Sequence, residues 1–569
     1  MLNILIILLN LFTVLPRETV IITHNPVTIE QPLKIPLLLS GNFGELRNNH
    51  FHSGLDFKTQ GRTGLPVYCA DDGYVSRISV SPYGYGYALY VDHPSGITTV
   101  YGHLSRFAPF IAGIVERKQY EAESFTVNLY FKKDEIKVHR GQIIAYSGNT
   151  GSSGGPHLHF EMRETQSEFP INPALYFKDK LTDTRAPEVR LVSVFPVPGE
   201  GVVAGKGRRF DLKPVTQGGT SYTTSIEPSV WGNIYFGVKA YDRMNNTGNI
   251  YGIYSLRVWV DEKPVFSFFI DRFSFDVTRS VNSLIDYADW RKNRSFVMRC
   301  LVDPGNPLPI YSGVVNGGVV TIDEERDYHI RYQLSDIFGN TSNVSFTVKG
   351  RKQPIPSLIP KQGERLFRYD TEYFVKRDGL EWTLPKGTLF ENFIFGYSCV
   401  SSPAYVSAIH NIGDEYIPLK GYTTLRIRVD KDTIADKRQY YMVRITGAGQ
   451  ETSCGGKYEN GYLTAKVRDM GRYAIKIDTE APVLLPLKEA TWGKTGLIRI
   501  RIKEQGSGLS SFRGEIDGKF ILFSMDGKTN IAECRLSTKH VVKGKMHKVI
   551  FFATDGCGNT RKYETKFYW

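Results

Sequence analysis

Residues 148–163 read GNTGSSGGPHLHFEMR, a glycine-rich approach running into a short strand-like segment. In a strand, residues two apart point to the same side, so His157 and His159 aim both imidazoles into one cavity. An earlier stretch, residues 41–59, reads GNFGELRNNHFHSGLDFKT and carries His52 and Asp56, four apart across Gly54 and able to face one side. Two histidines on a strand are by themselves ordinary polar or packed side chains. Joined by His52 and Asp56, with glycine at each approach, they form a constellation. The segment TTVYGHLS adds His103 just after an apolar strand. Alone it reads as a satisfied core or rim histidine; the ensemble draws it into the site.

A His, Asp, His set with one open position suits a catalytic zinc ion, because a structural site fills all four positions with protein ligands. Imidazole and carboxylate suit zinc, although spacing alone does not separate it from other divalent ions. Eight of the twelve histidines fall within residues 1–160, which places the chemistry at the N-terminal end. Alternation in residues 74–79, with Val75, Arg77 and Ser79 on one face, and the turns SPYGYGYA and HPSG suggest a compact antiparallel domain there. Between His103 and His139, Phe107, Phe110, Ile111, Ile114 and Val115 have helical spacing, and Phe125, Val127, Leu129 and Phe131 alternate. This predicts an inserted helix and strand at 105–137.

The rest of the chain extends the β reading. It has 569 residues, 41% hydrophobic and 23% charged, enough for roughly three to five domains. Thirty-three Tyr and 33 Phe, with many Val, Ile and Thr, favour strands. This composition excludes disorder and collagen-like repetition. Residues 1–180 hold 16 basic and 16 acidic side chains, so the net charge of +13 belongs to the remainder, where it is dispersed rather than clustered. No nucleic-acid motif accompanies it, and no nucleic-acid partner is expected. The six cysteines form no CxxC pair; Cys399 with Cys454 and Cys534 with Cys557 either close loops or stay free thiols.

Met1–Leu15, MLNILIILLNLFTVL, reads as a secretory signal within residues 1–20, with an uncleaved anchor or a buried element as alternatives. A motif recurs downstream: AYDRMNNTGN from Ala240, LSDIFGNTSN from Leu334 and ATDGCGNTRK from Ala553. Each has an Asp at the end of a hydrophobic strand and a Gly/Asn turn, the chemistry of a hairpin corner. Two linkers, DTRAPEVRLV from Asp183 and DTEAPVLLPL from Asp478, and the Pro-rich stretch from Lys352 mark boundaries. The expected divisions are 25–180 for the histidine-bearing domain, 183–352 for one or two β-sandwiches, 355–477 for a β-rich domain and 478–569 for an Ig-like sandwich.

Taken in order, FGELRNNHFHSGLD, GLPVYCADDGYVSRI, GYGYALYVDHPSGITTVYGHLS, HRGQIIAYSGNTGSSGGPHLHFEMR and INPALYF resemble the LytM/lysostaphin-type zinc endopeptidases that cut peptidoglycan peptides. The resemblance covers about residues 41–177. It implies an antiparallel metallopeptidase domain; with the composition and the recurring corner motifs, which lie outside the match, the expected fold is mainly β, that domain followed by three or four Ig-like sandwiches. The resemblance implies one Zn²⁺ on His52, Asp56 and His159, with His157 and His103 as the catalytic histidines. His157 is then the base, and His103 orients water or stabilises the oxyanion. His50 lies outside the family pattern, and His93 and His139 are expected to be solvated in turns. The 54 positions from His103 to His157 exceed the spacing of compact members, so the insertion is expected to rim the cleft.

The implied activity is hydrolysis of amide bonds in peptidoglycan stems or cross-links, D-alanyl to diamino-acid bonds before glycine bridges. The protein is then exported, to the periplasm or cell envelope, with an envelope protein as a further partner through the C-terminal sandwiches. A second reading is a non-catalytic scaffold that binds the wall or activates another hydrolase; all five site positions being present favours the enzyme. A third is a surface adhesin built on the sandwiches.

Overall fold

The computed structural model describes residues 28–569; the expected signal segment and His24 lie outside them. The chain is mainly β. Its N-terminal domain is built on the strands β1 (Leu39–Gly41), β2 (Leu46–Arg47), β3 (His50–Phe51), β4 (Leu55–Lys58), β5 (Pro66–Tyr68), β6 (Gly73–Val80), β7 (Tyr87–Asp92), β8 (Ile97–Leu104) and β9 (Arg106–Phe107). Helix α1 (Pro109–Glu121) follows, then β10 (Val127–Tyr130), β11 (Lys137–Val138), β12 (Ile143–Tyr146), β13 (His157–Glu164) and β14 (Pro170–Ile171). The main sheet runs β1-β4-β13-β8-β7-β6-β10 and is antiparallel along this path. Its central strands β4, β13 and β8 carry the site residues: His159 stands opposite Asp56 on one side and Gly102 on the other. Leu158, Phe160 and Met162 of β13 are fully buried on the opposite face, packing with Phe57, Tyr101 and Phe177.

Gly54 enters β4 where no side chain fits. A Cβ there would sit 2.3 Å from the Phe160 carbonyl oxygen, a backbone atom that cannot yield without parting β4 from β13. Gly54→Ala is therefore expected to lower stability by about 3 kcal/mol. Denaturant titration of the purified variant checks this; a change within experimental error would show that the strands shift freely.

The alternation expected in β6 is broken. The register shifts between Val75 and Arg77, so Val75, Ile78 and Val80 are the buried residues. A bulge adds one residue to one strand, so the faces exchange beyond it. In the insertion, Phe107 belongs to β9 rather than the helix, which starts at Pro109 and buries Ile111, Val115 and Gln119 while Phe110 is exposed. Proline suits the first helical turn because its missing N–H would have no partner there.

Beyond residue 187 the strands between Glu188 and Gly350 form a single hydrogen-bonded network of eleven, including parallel contacts of Ser221–Thr224 and Ser229–Tyr241 with Thr341–Gly350. Residues 373–477 form two five-stranded sheets that share a core around Trp382, Leu425, Tyr440 and Tyr473. The last residues form two four-stranded sheets. Two of the three repeated motifs are hairpin corners. Asp336 Oδ1 accepts the Phe338 and Asn340 N–H groups, and Asp555 Oδ1 accepts those of Cys557 and Asn559. The third, at Ala240, does not turn into a strand paired with its own: after Tyr241 only the Asp242–Tyr251 bridge follows, and the next strand, Ser255–Val260, pairs elsewhere in the same sheet, with Asp327–Ser335 and Lys263–Phe269. All six cysteines are free thiols.

Two interfaces tie the later units to the N-terminal domain. Phe273 packs on Phe43 and Phe51, and the Asn42 side chain both donates to and accepts from the Gly252 backbone, at 2.8 and 3.0 Å. At the other end, α1 meets the C-terminal unit. Glu116 pairs with Lys539 at 2.5 Å and His540 at 2.9 Å, and Tyr120 stacks on His540 at 4.1 Å. Arg513 reaches Glu123 at 2.6 Å. The chain thus closes on itself, its last unit resting on the insertion of its first.

Candidate metal centre and groove

Three side chains converge on one point. His52 Nε2, Asp56 Oδ1 and His159 Nδ1 lie 2.8 to 3.0 Å from one another, and all three residues are buried. His52 comes from the turn between β3 and β4, Asp56 from β4 and His159 from the adjacent β13.

The outer atoms of these residues are already engaged. His52 Nδ1 lies 2.7 Å from the Asn42 carbonyl oxygen, so that nitrogen carries hydrogen and Nε2 presents a lone pair. His159 Nε2 lies 2.8 Å from Glu161 Oε1, which likewise leaves Nδ1 facing inward. Asp56 Oδ2 accepts from Arg47 Nη2 at 2.8 Å. With both imidazoles neutral, the inward atoms are all acceptors and repel one another unless a cation lies among them. Such outer hydrogen bonds orient metal-binding imidazoles and fix their tautomers. The donor set therefore fits a divalent ion of zinc type.

His157 and His103 stand beside this point. His157 Nε2 lies 3.4 Å from Asp56 Oδ1, while its Nδ1 lies 2.9 Å from the Gly155 carbonyl oxygen. His103 Nδ1 lies 2.9 Å from the Thr150 carbonyl oxygen, and its ring centroid is 4.8 Å from that of His157. Both rings thus turn Nε2 inward. His103 has φ +57°, in the left-handed region, at a register shift of β7 against β8. That conformation costs a non-glycine residue on the order of 1 kcal/mol, and here the bulge re-aims the imidazole at its neighbours. Gly102 leaves room for His159: a Cβ there would press on the His159 side chain at 3.3 Å. A groove of about 590 Å³ opens over the site, lined by Arg47, Lys58, His103 and the Ser152–His157 turn on the N-terminal domain and by Asn249 from the next unit.

Glu161 escaped the sequence reading. It is fully buried, two residues beyond His159 on the same face of β13. Its Oε1 accepts from Ser53 Oγ and the Tyr85 hydroxyl, both at 2.5 Å, and faces His159 Nε2; its Oε2 accepts from Arg163 Nε at 2.7 Å. The signal was present as an unbroken stripe, His157, His159, Glu161, Arg163, along one face of a strand whose other face is apolar. His93, expected to be solvated, is buried, its ring nitrogens meeting the Asp72 carbonyl oxygen at 2.9 Å and Thr99 Oγ1 at 2.8 Å. His50 and His139 are exposed and stand apart from the cluster.

Electrostatics separate the imidazoles. Burial pushes His52 down to about 4, and burial with His159 and His157 beside it pushes His103 down to about 3. For His159 burial acts in the same direction, but hydrogen bonds to Asp56 and Glu161 outweigh it and raise the imidazole to about 9. Without a metal, the proton on His159 stabilises the fold fully below about pH 6.5 and ceases to do so as pH rises through about 9. A cation that takes Nδ1 must displace that proton, whereas His52 has none to lose at neutral pH. Zinc affinity is thus expected to rise tenfold per pH unit from about 7 to 9, with release of about one proton. Calorimetric titration in buffers of different ionisation enthalpy checks this; release of two protons would contradict the assignment of a neutral His52.

The family model for peptidase family M23 matches residues 50–122 and 119–173, and a Zu5-like domain model matches residues 364–478. The DD-carboxypeptidase/endopeptidase Mpg of Neisseria meningitidis is 32% identical over 122 residues, 21% of this chain and 22% of its own. The peptidoglycan DD-endopeptidase ShyB of Vibrio cholerae is 36% identical over 111 residues, 20% of each chain. A solved structure described as a zinc-containing peptidase from Vibrio cholerae is 30% identical, covering 25% of this chain and 37% of its own, with a TM-score of 0.19. Residues 50–173 thus match a peptidase family M23 domain, with further β units and a match to a Zu5-like domain behind it. The chain spans only about a fifth of the length of the curated relatives it matches. Among the described residues, no helix is long and apolar enough to cross a membrane.

Proposed function

We propose that the protein is a zinc endopeptidase that hydrolyses amide bonds in the peptide stems or cross-links of peptidoglycan, acting in the cell envelope. The observation that carries this reading is the convergence of two imidazole nitrogens and a carboxylate oxygen within 3.0 Å, at the floor of an open groove. The names of two Vibrio cholerae relatives, peptidoglycan DD-endopeptidases, support the substrate class.

His52, Asp56 and His159 would hold the ion. Zinc bound there supplies Lewis acidity, polarising a carbonyl and lowering the pKa of water toward about 7. His157, at the groove edge with Nδ1–H held by Gly155, offers Nε2 to take a proton from the attacking water and return it to the leaving amine. His103, neutral at physiological pH, accepts at Nε2 and so fixes the orientation of that water. Arg47 donates to Asp56 Oδ2 and so keeps Oδ1 turned inward. Lys58 gives the groove wall a basic group suited to a carboxylate of a peptide stem, whereas Arg47 is already paired with Glu45 and Asp56.

Mass spectrometry of purified peptidoglycan after incubation with the full chain, zinc-loaded or chelator-treated, tests the proposal. New cleaved cross-links from the zinc-loaded sample alone are expected, and they identify the bond. Intact cross-links in both, with zinc demonstrably bound, would overturn it.

A further inference from the structure

Three aspartates distant in sequence meet where the eleven-stranded unit joins the M23 domain. Asp183 belongs to the DTRAP linker, Asp242 to the motif from Ala240 and Asp336 to the corner from Leu334. One carboxylate oxygen from each lies within 4.8 Å of the others. Their exposures are 9%, 4% and 3%.

Asp336 is occupied by its own turn, accepting two backbone N–H groups on Oδ1 and the Asn340 side-chain amide on Oδ2. The other two are not satisfied. Asp183 Oδ1 accepts the Arg185 N–H at 3.0 Å, but Asp183 Oδ2 and Asp242 Oδ1 are buried without any hydrogen-bond partner. Nearby bases do not neutralise them, because Arg185 and Arg243 turn to Glu188, at 3.3 and 3.4 Å. Burying carboxylates together without donors or a counter-charge is strongly unfavourable. A cavity of about 20 Å³, room for one water-sized sphere, adjoins Asp242 and is also lined by Asn42 and Asn172.

The C-terminal unit supplies a contrast. Asp478, Glu504 and Asp555 repeat the layout of linker acid and corner acid. There Asp478 Oδ2 accepts the Ser507 N–H at 2.7 Å, Glu504 Oε1 the Gly506 N–H at 2.6 Å, and Asp555 the Asn559 side-chain amide at 2.8 Å. That cluster is closed by protein donors; the one at Asp242 is open.

We propose that Asp183, Asp242 and Asp336 bind one hard divalent cation, Ca²⁺, at the junction of the two units. An all-oxygen set favours Ca²⁺ over zinc, and water or carbonyl oxygens would complete its six to eight ligands. The ion would also brace the peptidase site. Asp242 and Tyr251 exchange backbone hydrogen bonds at 2.9 and 3.0 Å, the next residue, Gly252, clamps the Asn42 side chain, and the Asn42 carbonyl holds His52.

The test is calorimetric titration of the zinc-loaded full chain with CaCl₂, and in parallel with MgCl₂, beside Asp242→Asn and Asp183→Asn. The parent is expected to bind one more Ca²⁺ than either variant. A hundredfold excess of Ca²⁺ over its Kd should raise the parent's Tm by about 5 °C and leave the variants unmoved. In chelator, Asp242→Asn should melt no lower than the parent, since one repelling charge is gone. Equal Ca²⁺ stoichiometry in the parent and the variants, zero included, would overturn the proposal. Asp183→Asn decides the matter if Asp242→Asn does not fold.

Discussion

His159→Ala is expected to abolish zinc retention and peptidoglycan hydrolysis together, whereas His157→Ala should keep zinc and lose about 10²–10⁴-fold in turnover. The two histidines are neighbours on β13, yet their surroundings differ. His159 is held between Asp56 and Glu161, so its removal takes away one of three inward ligand atoms and leaves both carboxylates short of a partner. His157 lies at the groove edge, its Nε2 3.4 Å from Asp56, with its other nitrogen fixed by a backbone oxygen. Metal content of the dialysed proteins and rates on purified peptidoglycan are the measurements. Loss of zinc from His157→Ala would instead make that residue a ligand, and full activity would remove it from proton transfer.

Glu161→Ala should be the more damaging change to the fold, although Glu161 touches neither groove nor substrate. It removes the acceptor for Ser53, Tyr85 and His159 and leaves Arg163, whose side chain is 6% exposed, only the more distant Glu168 at 3.7 Å. Breaking a buried charge pair by deleting one partner costs about 3–5 kcal/mol. That is a large fraction of the ~5–15 kcal/mol that holds a domain folded. Glu161→Gln keeps the shape and one acceptor oxygen but gives up the charge. For it we expect a folded protein whose zinc affinity is down about 10–100-fold, the usual effect of losing a partner behind a metal ligand. Thermal unfolding and competition with a chromophoric chelator measure the two effects. If Glu161→Gln binds zinc like the parent, the carboxylate's charge serves the fold, through Ser53, Tyr85 and Arg163, and not the metal ligand.

What could be read from the chain follows from how local each signal is. The pairing of His157 with His159 needed only the period of a strand. The mainly β class followed from composition, and the corners at Asp336 and Asp555 followed from turn chemistry, since each Asp binds backbone within four residues of itself. Non-local features were out of reach. The bulge in β6 that reverses the expected faces depends on its register against β7. His93 looked like a turn residue, but it is buried because Asp72 and Thr99 close over it. Asp242 shares its motif with Asp336 and Asp555, but the strand that would complete its hairpin pairs elsewhere. Glu161 is the exception. Its place on the polar stripe of β13 was local information, passed over because a carboxylate beside a histidine pair suggests a ligand only when it faces the metal.

The docking of the last unit on α1 also sets an order of events during synthesis. The M23 domain is complete by about residue 177, but the surface that receives Glu116, Tyr120 and Glu123 arrives only with residues 513–540. At ~5–20 residues per second, some tens of seconds separate the two. Throughout that interval the nascent chain presents Glu116 and Tyr120 of α1, and Glu123 just beyond it, without their final cover. A ribosome stalled before residue 513 leaves an N-terminal domain whose insertion remains bare.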